Sequence, residues 1–185
     1  RAFLPDNSDN GRKPNSLQAL QALNIMGYGA YVVINDGGHV DTDIKRVRAV
    51  YVDFDVANDD HLARLDLFTL EPSMIVESSP GKHHAYWCVE GMPVDEFRRA
   101  QKKLISLLDT DRSVHNESRV MRLPGFIHNK ADPYQTNIFH EGPPSYTWAE
   151  LKVELDKLPE PTKEKAKQTF DEGGFTNNEG GRNTA

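Results

Sequence analysis

The sequence predicts an α+β domain, and three observations carry that expectation. Apolar residues recur at helical spacing over 17–23, 94–108 and 151–158; β-branched and aromatic runs occupy 30–35 and 47–56; and 73–90 reads as two strands folded about a Pro-Gly turn. Strands in direct succession favour an antiparallel sheet with flanking helices over a regular alternation of helix and strand.

Each element has a local reason. Ser16 caps a helix through Leu17, Leu20 and Leu23, and Gly27 ends it. Residues 30–35 form a strand that stops at the turn Asp36-Gly37-Gly38. Residues 47–56 are a second strand, and 58–67 a short helix capped by Asn58 with acids in its first turn. The 73–90 hairpin turns at Ser79-Pro80-Gly81-Lys82, where Pro second and Gly third suit a type II turn. With Ser79 opposite Lys82, Ser78 pairs with His83, Glu77 with His84, Val76 with Ala85 and Met74 with Trp87. That register gives a core face of Met74, Val76, Ala85 and Trp87, and a face of Glu77, His84 and Tyr86 that can line a site. Helix 94–108 begins beside Pro93 and spaces Val94, Phe97, Leu104 and Leu108 along one side; Asp109-Thr110-Asp111 follows at once. Residues 118–130, rich in Arg, Asn and His around Pro124-Gly125, read as loop or short turns, and 135–140 as a closing strand. Thr147-Trp148-Ala149-Glu150 is a capping box that opens a helix through Leu151, Leu155 and Leu158.

These elements occupy 16–160, one domain; 185 residues are too few for two full cores. The apolar fraction, 37%, is low, and the deficit lies in the first fifteen residues and beyond Pro159. Residues 1–15 therefore read as a flexible N-terminal segment and 161–185 as a linker. A single cysteine, Cys88, excludes a disulfide framework and a Cys-rich zinc site, reads as a small apolar residue, and fits a reducing cytoplasm. No apolar run approaches a membrane span and no signal sequence opens the chain, which starts at Arg1 rather than Met and so reads as a fragment. A net charge of −6 is unpromising for phosphate binding, yet residues 98–130 hold eight basic side chains against three acids. That stretch is a candidate phosphate-facing patch, although Arg98, Arg99, Lys102 and Lys103 read equally as the solvated face of an amphipathic helix.

The chemistry centres on Val52-Asp53-Phe54-Asp55-Val56. Alternate residues of a strand share a face, so Asp53 and Asp55 project together while Val52, Phe54 and Val56 pack into the core. Two adjacent carboxylates repel each other unless a hard divalent cation, Mg²⁺ or Mn²⁺, joins them; an edge strand with a solvated acidic face is the plain alternative. Adding Asp111 makes a carboxylate cluster able to hold two ions roughly 3.5 to 4 Å apart, as metal-dependent nucleotidyl transfer requires. His84, Arg119, Arg122 and Lys130 then supply the cations and donors that hold a triphosphate in line.

Four motifs in order carry a resemblance: Val52-Asp53-Phe54-Asp55; Glu77-Ser78-Ser79-Pro80-Gly81-Lys82-His83-His84-Ala85-Tyr86-Trp87; Thr110-Asp111; and Arg119-Val120-Met121-Arg122-Leu123-Pro124-Gly125-Phe126 with Asn129-Lys130. Over about 16–160 the chain resembles the RepB-like primases of plasmids and phages, a branch of the archaeo-eukaryotic primase superfamily. The resemblance implies a mixed sheet with an RRM-like catalytic half and a DNA primase or primase-polymerase working on nucleoside triphosphates and a single-stranded DNA template. It also implies metal ligation by Asp53, Asp55 and Asp111, and nucleotide contact by His84, with Ser79, Arg119, Arg122 and Lys130 beside it. Lys82 departs from the small residue usual two places before the histidine, so His83 competes with His84, as Asp109 does with Asp111. Residues 179–185 resemble the opening of the small helical domain that follows such catalytic domains, which implies a fused or partner helicase; a Gly/Asn-rich flexible end fits the composition equally.

Two other functions fit parts of the chain. A rolling-circle DNA-nicking protein would use His83-His84 and a tyrosine nucleophile, but adjacent strand residues face opposite ways and the acidic pair is left without a role. A non-catalytic nucleic-acid-binding module would need cations without the acidic triad, because carboxylates weaken phosphate binding unless metal intervenes.

Overall fold

The computed structural model describes residues 2–3, 11–57, 60–130 and 132–161. Along the chain it runs β1 (Ala2–Phe3), α1 (Leu17–Ile25), β2 (Gly29–Val33), β3 (Ala49–Phe54), α2 (His61–Leu65), β4 (Met74–Ser79) and β5 (Lys82–Glu90). Then follow α3 (Val94–Leu108), β6 (Val120–Arg122), β7 (Ile127–His128), β8 (Tyr134–Gln135), β9 (Asn137–Glu141), β10 (Tyr146–Thr147) and α4 (Trp148–Asp156). The α+β class holds. β5 lies between β3 and β4, β9 pairs with the far edge of β4, and β10 runs parallel to the end of β5, which makes the sheet mixed. The succession β3, α2, β4, β5, α3 with β5 central is the RRM-like half. A second sheet, β1-β2-β6, stands beside it, and β7 pairs with β8.

Sequence signals account for most boundaries. Ser16 accepts a hydrogen bond from the Ala19 N–H, and Gly27 follows α1 with a φ of +96°. Gly81 has a φ of +71°, as the third position of a type II turn demands. Thr147 and Glu150 form the capping box, each side chain bonded to the other's backbone N–H. Asp109 ends α3 in the left-handed conformation, φ 49°.

Packing explains how α3 is held. The side chain of Gln101, fully buried, accepts from Tyr51 N–H (3.1 Å) and donates to the carbonyls of Tyr51 and Val114 (2.9 Å for the latter), so α3 satisfies the free edge of β3. Phe97, Leu104 and Leu108 are buried in the main core together with Val50, Val52 and Trp87, the Phe97 ring 5.9 Å from that of Tyr51, while Ala2, Leu20, Tyr28, Ala30 and Phe126 form a smaller one.

Several expectations are corrected. The hairpin register is displaced by one: Met74 faces Tyr86, Ile75 faces Ala85, Val76 faces His84 and Glu77 faces His83, with a bulge before Ser79↔Lys82. Met74 and Val76 therefore share the His84 face, while Ala85 and Trp87 lie opposite with Ile75 and Glu77. Val56 lies beyond the end of β3 and is exposed. Residues 118–130 contain β6, paired with β2, because Val120 and Met121 find partners in Val33 and Val32 across the long gap in sequence. The helix expected over 58–67 is confined to α2 and has no side-chain cap at Asp60; Asn58 lies outside the described residues. Lys103 is buried rather than solvated, its ammonium donating to the carbonyls of Leu155 (3.0 Å) and Leu158 (3.1 Å) at the end of α4. Within the segment read as flexible, Ala2–Phe3 pairs with β2 and Ala2 is fully buried. The linker and tail at 162–185 lie outside the described residues. Among the described residues, no helix is long and apolar enough to cross a membrane.

Candidate functional site

Two cavities meet over Asp53 and Asp55. The first, about 350 Å³, is lined by those acids together with Tyr31, Ser78, Ser79, Lys82, His84, Arg119, Arg122, His128 and Lys130. The second, about 490 Å³, is lined by the same two acids with His61, Arg64, Asp109, Thr110 and Asp111. Asp53, Asp55, Ser79, His84, Arg119, Arg122 and Lys130 thus border the first cavity and Asp109 and Asp111 the second, whereas His83, Glu77 and Tyr86 border neither.

The local structure explains the placement. β3 pairs Asp53 directly with His84 on the open face, so the Asp53 Oδ1 lies 3.5 Å from the His84 Nε2. The Asp111 N–H donates to the Asp53 carbonyl at 3.1 Å, and Val114 O is held by Gln101, so the loop after α3 is sewn to the outer edge of β3. β6 brings Arg119 and Arg122 across from the second sheet, and the Arg122 guanidinium lies 4.8 Å over the Tyr31 ring. Behind Arg119, Asp41 accepts from Ser118 N–H (3.0 Å) and hydroxyl (2.6 Å), and Arg98 pairs with both Asp41 and Glu117.

Burial governs protonation here. Asp53 is pushed up to about 7, first by desolvation and then by the charges of Asp55 and Asp111. His84 is pushed down to about 3 by complete burial and by Arg122, so it stands neutral and its contact with Asp53 is not an ion pair. The Tyr86 hydroxyl, 3.2 Å from the His84 Nδ1, fixes the ring from behind. Asp55 is paired with Lys82 at 3.0 Å. Asp111 accepts from the Ser113 N–H (2.8 Å) and hydroxyl (2.9 Å), with Arg119 at 3.8 Å.

As they stand, no three acidic, histidine or cysteine side chains among the described residues are grouped to hold a metal ion. The donor set nonetheless fits a hard divalent cation: three carboxylates border one cleft, and the charges of Asp55 and Asp111 add to burial in raising the Asp53 pKa. The Asp55 side chain is 69% exposed and that of Asp111 33%, and both are tied only to side chains and a backbone N–H that can release them.

The pairs left open in the sequence are separated by geometry. His83 points to the opposite face from His84 and packs edge-on against Phe139, which also removes the two-histidine face a nicking site needs. Asp109 carries the helix-end role, its carbonyl accepting from Arg64 at 3.0 Å, although its side chain borders the second cavity. The patch at 98–130 divides: Arg98 and Arg99 are paired with acids and Lys103 is buried, whereas Arg119, Arg122 and Lys130 face the first cavity. Asn35, just before the Asp36-Gly37-Gly38 turn, bridges the Glu117 carbonyl and the Arg48 N–H and lines neither cavity. Tyr31, Ser78, His128, His61 and Arg64 were missed. For Tyr31 the missing signal is the β2–β6 pairing, and for His61 and Arg64 it is the docking of α2; none has a mark in local sequence.

Among curated proteins none matches the chain. Among solved structures it is similar to the AEP domain of the cyanophage S-2L primase-polymerase, at 25% identity and a TM-score of 0.75, over 84% of this chain and 86% of that one. It is also similar to primase RepB′, at 18% identity and a TM-score of 0.57 over 84% of this chain and 54% of that one. The catalytic domain of primase RepB′ in complex with initiator DNA matches at 18% identity and a TM-score of 0.59, over 84% and 81%. Residues 33–148, more than half of the chain, match the RepB DNA-primase N-terminal domain, and with this fold and cleft the chain belongs to that family of archaeo-eukaryotic primases.

Proposed function

We propose that this domain is a DNA-templated nucleotidyltransferase, a primase or primase-polymerase, that joins nucleoside triphosphates on a single-stranded DNA template with two divalent cations, Mg²⁺ or Mn²⁺. The observation that carries the reading is the first cavity, which sets an acidic pair against Lys82, Arg119, Arg122 and Lys130 with a neutral histidine between them. A triphosphate needs such cations, and catalytic cations need such acids.

In the reaction, the 3′-oxygen of the acceptor bonds to the α-phosphorus while the bond to the bridging oxygen of pyrophosphate breaks. The hydroxyl proton passes to solvent, and pyrophosphate leaves with the electron pair. Asp53, Asp55 and Asp111 would hold the cations, which when bound make the attacking hydroxyl more acidic and offset charge on the triphosphate. Arg119, Arg122 and Lys130 orient the phosphates, Ser79 borders them from the hairpin turn, and His84 offers one hydrogen bond from Nε2, its ring held in place by the Tyr86 hydroxyl at Nδ1. The mode of binding explains why a buried, uncharged histidine is tolerable there: it adds a directed hydrogen bond without adding charge.

Synthesis on single-stranded DNA tests the reading. The unaltered protein is expected to make labelled oligonucleotides that depend on template and divalent cation, and Asp53→Ala or Asp55→Ala to make none. Cleavage with a covalent tyrosyl adduct, or binding with no synthesis, would replace it with the nicking or binding reading.

A further inference from the structure

Lys82 belongs to two groups of residues at once. Its ammonium donates to the Asp55 Oδ1 at 3.0 Å, and among the described residues this is the one side-chain partner of that carboxylate. The same side chain lines the first cavity with Arg119, Arg122 and Lys130, the wall given above to the phosphates. The two places exclude each other once a divalent cation lies on Asp55, because an ammonium at that distance is then repelled rather than attracted.

The main chain beneath Lys82 is fixed. The Gly81 N–H donates to the Glu77 Oε1 at 3.1 Å, and the other oxygen of that carboxylate accepts from the Tyr134 hydroxyl. The turn also packs closely on the chain that follows Asp55, since a Cβ added at Gly81 would meet the Ala57 methyl at 3.3 Å. Lys82 itself is paired with Ser79 across the hairpin, and its carbonyl accepts from the Ser78 hydroxyl at 3.4 Å. Its side chain is loose by contrast. The paired side chains of Lys82 and Asp55 are 36% and 69% exposed, and an ion pair so open to water is weak. A lysine stem can carry its charge from one partner to another without movement of the backbone. Arg119 repeats the arrangement at longer range, lining the first cavity while its Nη2 lies 3.8 Å from the Asp111 Oδ2.

We propose that Lys82 is an internal counterion, which holds Asp55 before ligands bind and passes to the triphosphate when a divalent cation takes the carboxylate. This rests on the function proposed above. Lys82 released from Asp55 is free to meet phosphate, and Lys82 drawn to phosphate leaves Asp55 open to the cation. Each ligand therefore raises the affinity for the other by the same factor.

Two affinities of the full chain, read separately, test the exchange. Mn²⁺ binding without nucleotide, followed by electron paramagnetic resonance, is expected to tighten about threefold or more in Lys82→Met, because Asp55 has lost its competing cation. Binding of a non-hydrolysable nucleoside triphosphate at saturating Mn²⁺, followed by calorimetry, is expected to weaken about threefold or more in the same variant. A lysine that only steadied Asp55 would not weaken the triphosphate, and one that only met phosphate would not tighten Mn²⁺. Lys82→Gln is expected to match Lys82→Met, and Lys82→Arg to stay near the unaltered protein; all three are expected to melt like it. Lys130 lines the same cavity and among the described residues pairs with no carboxylate, so Lys130→Ala is expected to weaken the triphosphate and leave Mn²⁺ affinity within about 1.5-fold. Either affinity unchanged in both Lys82→Met and Lys82→Gln, or Mn²⁺ tightened as much by Lys130→Ala, overturns the exchange alone. Failure of the unaltered protein to bind Mn²⁺ or the triphosphate overturns the proposed function and the exchange with it.

Discussion

Asp53 and His84 face each other across 3.5 Å, and burial drives them toward their neutral forms from opposite sides. The unfolded chain loses the Asp53 proton near 3.8 and the folded chain near 7, so this group costs stability as pH rises between those values. The unfolded chain protonates His84 near 6.5 and the folded chain only near 3, so this group costs stability as pH falls between those values. In metal-free buffer, Asp53→Asn is therefore expected to gain on the unaltered protein in urea midpoint as pH rises from about 4 to 7. His84→Gln is expected to flatten the loss on acidification from about 6.5 to 3. Parallel curves for variant and unaltered protein would mean that burial does not set these protonation states. The acidic pair was legible because the two-residue period of a strand is local. His84 was placed on the correct face through an incorrect register: the bulge between Glu77 and Ser79 displaces the β4 partners by one, while the face of His84 is fixed by β3 through Asp53.

Elements, rather than single residues, bring the third carboxylate and the arginines to the cleft. α3 does the first through Gln101, whose amide serves both Tyr51 and Val114. Gln101→Leu leaves three buried backbone groups unpaired, and a loss of about 3 to 5 kcal/mol in denaturant unfolding is expected, with synthesis impaired by drift of the Asp111 loop. The 3-10 turn at Asp41–Asp43 does the second by clamping Ser118, the residue before Arg119. Asp41→Ala is expected to raise the KM for triphosphate about tenfold with a smaller change in kcat, and an unchanged KM would mean that Arg119 needs no such support. Helix limits were readable here because caps are chemical: Ser16, Thr147 with Glu150, and the Pro93 start all hold. β6 was not, since three residues in an Arg-rich stretch become a strand only when Tyr31, Val32 and Val33 lie beside them. Lys103 misled for the same reason: its spacing is that of a wet face, and only the end of α4 makes it buried.

On the scale of the molecule, a net charge of −6 coexists with a cationic cleft because the basic residues of 98–130 have different partners. With Lys82, Arg119, Arg122 and Lys130 given to the triphosphate, its binding is expected to weaken as salt is raised, and an affinity independent of salt would mean that these cations do not meet phosphate. The α+β class was readable from periodicity, whereas the two-cavity cleft was not, because it is made by β2, β6 and α2 meeting residues far away in sequence. The central claim is that Asp53, Asp55 and Asp111 hold divalent cations in that cleft. Mn²⁺ binding to the full chain, followed by electron paramagnetic resonance with and without a non-hydrolysable nucleoside triphosphate, tests it most directly. The account predicts binding that tightens with the nucleotide and is lost in Asp55→Asn and Asp111→Asn; Mn²⁺ binding of unaltered strength in both variants would contradict it.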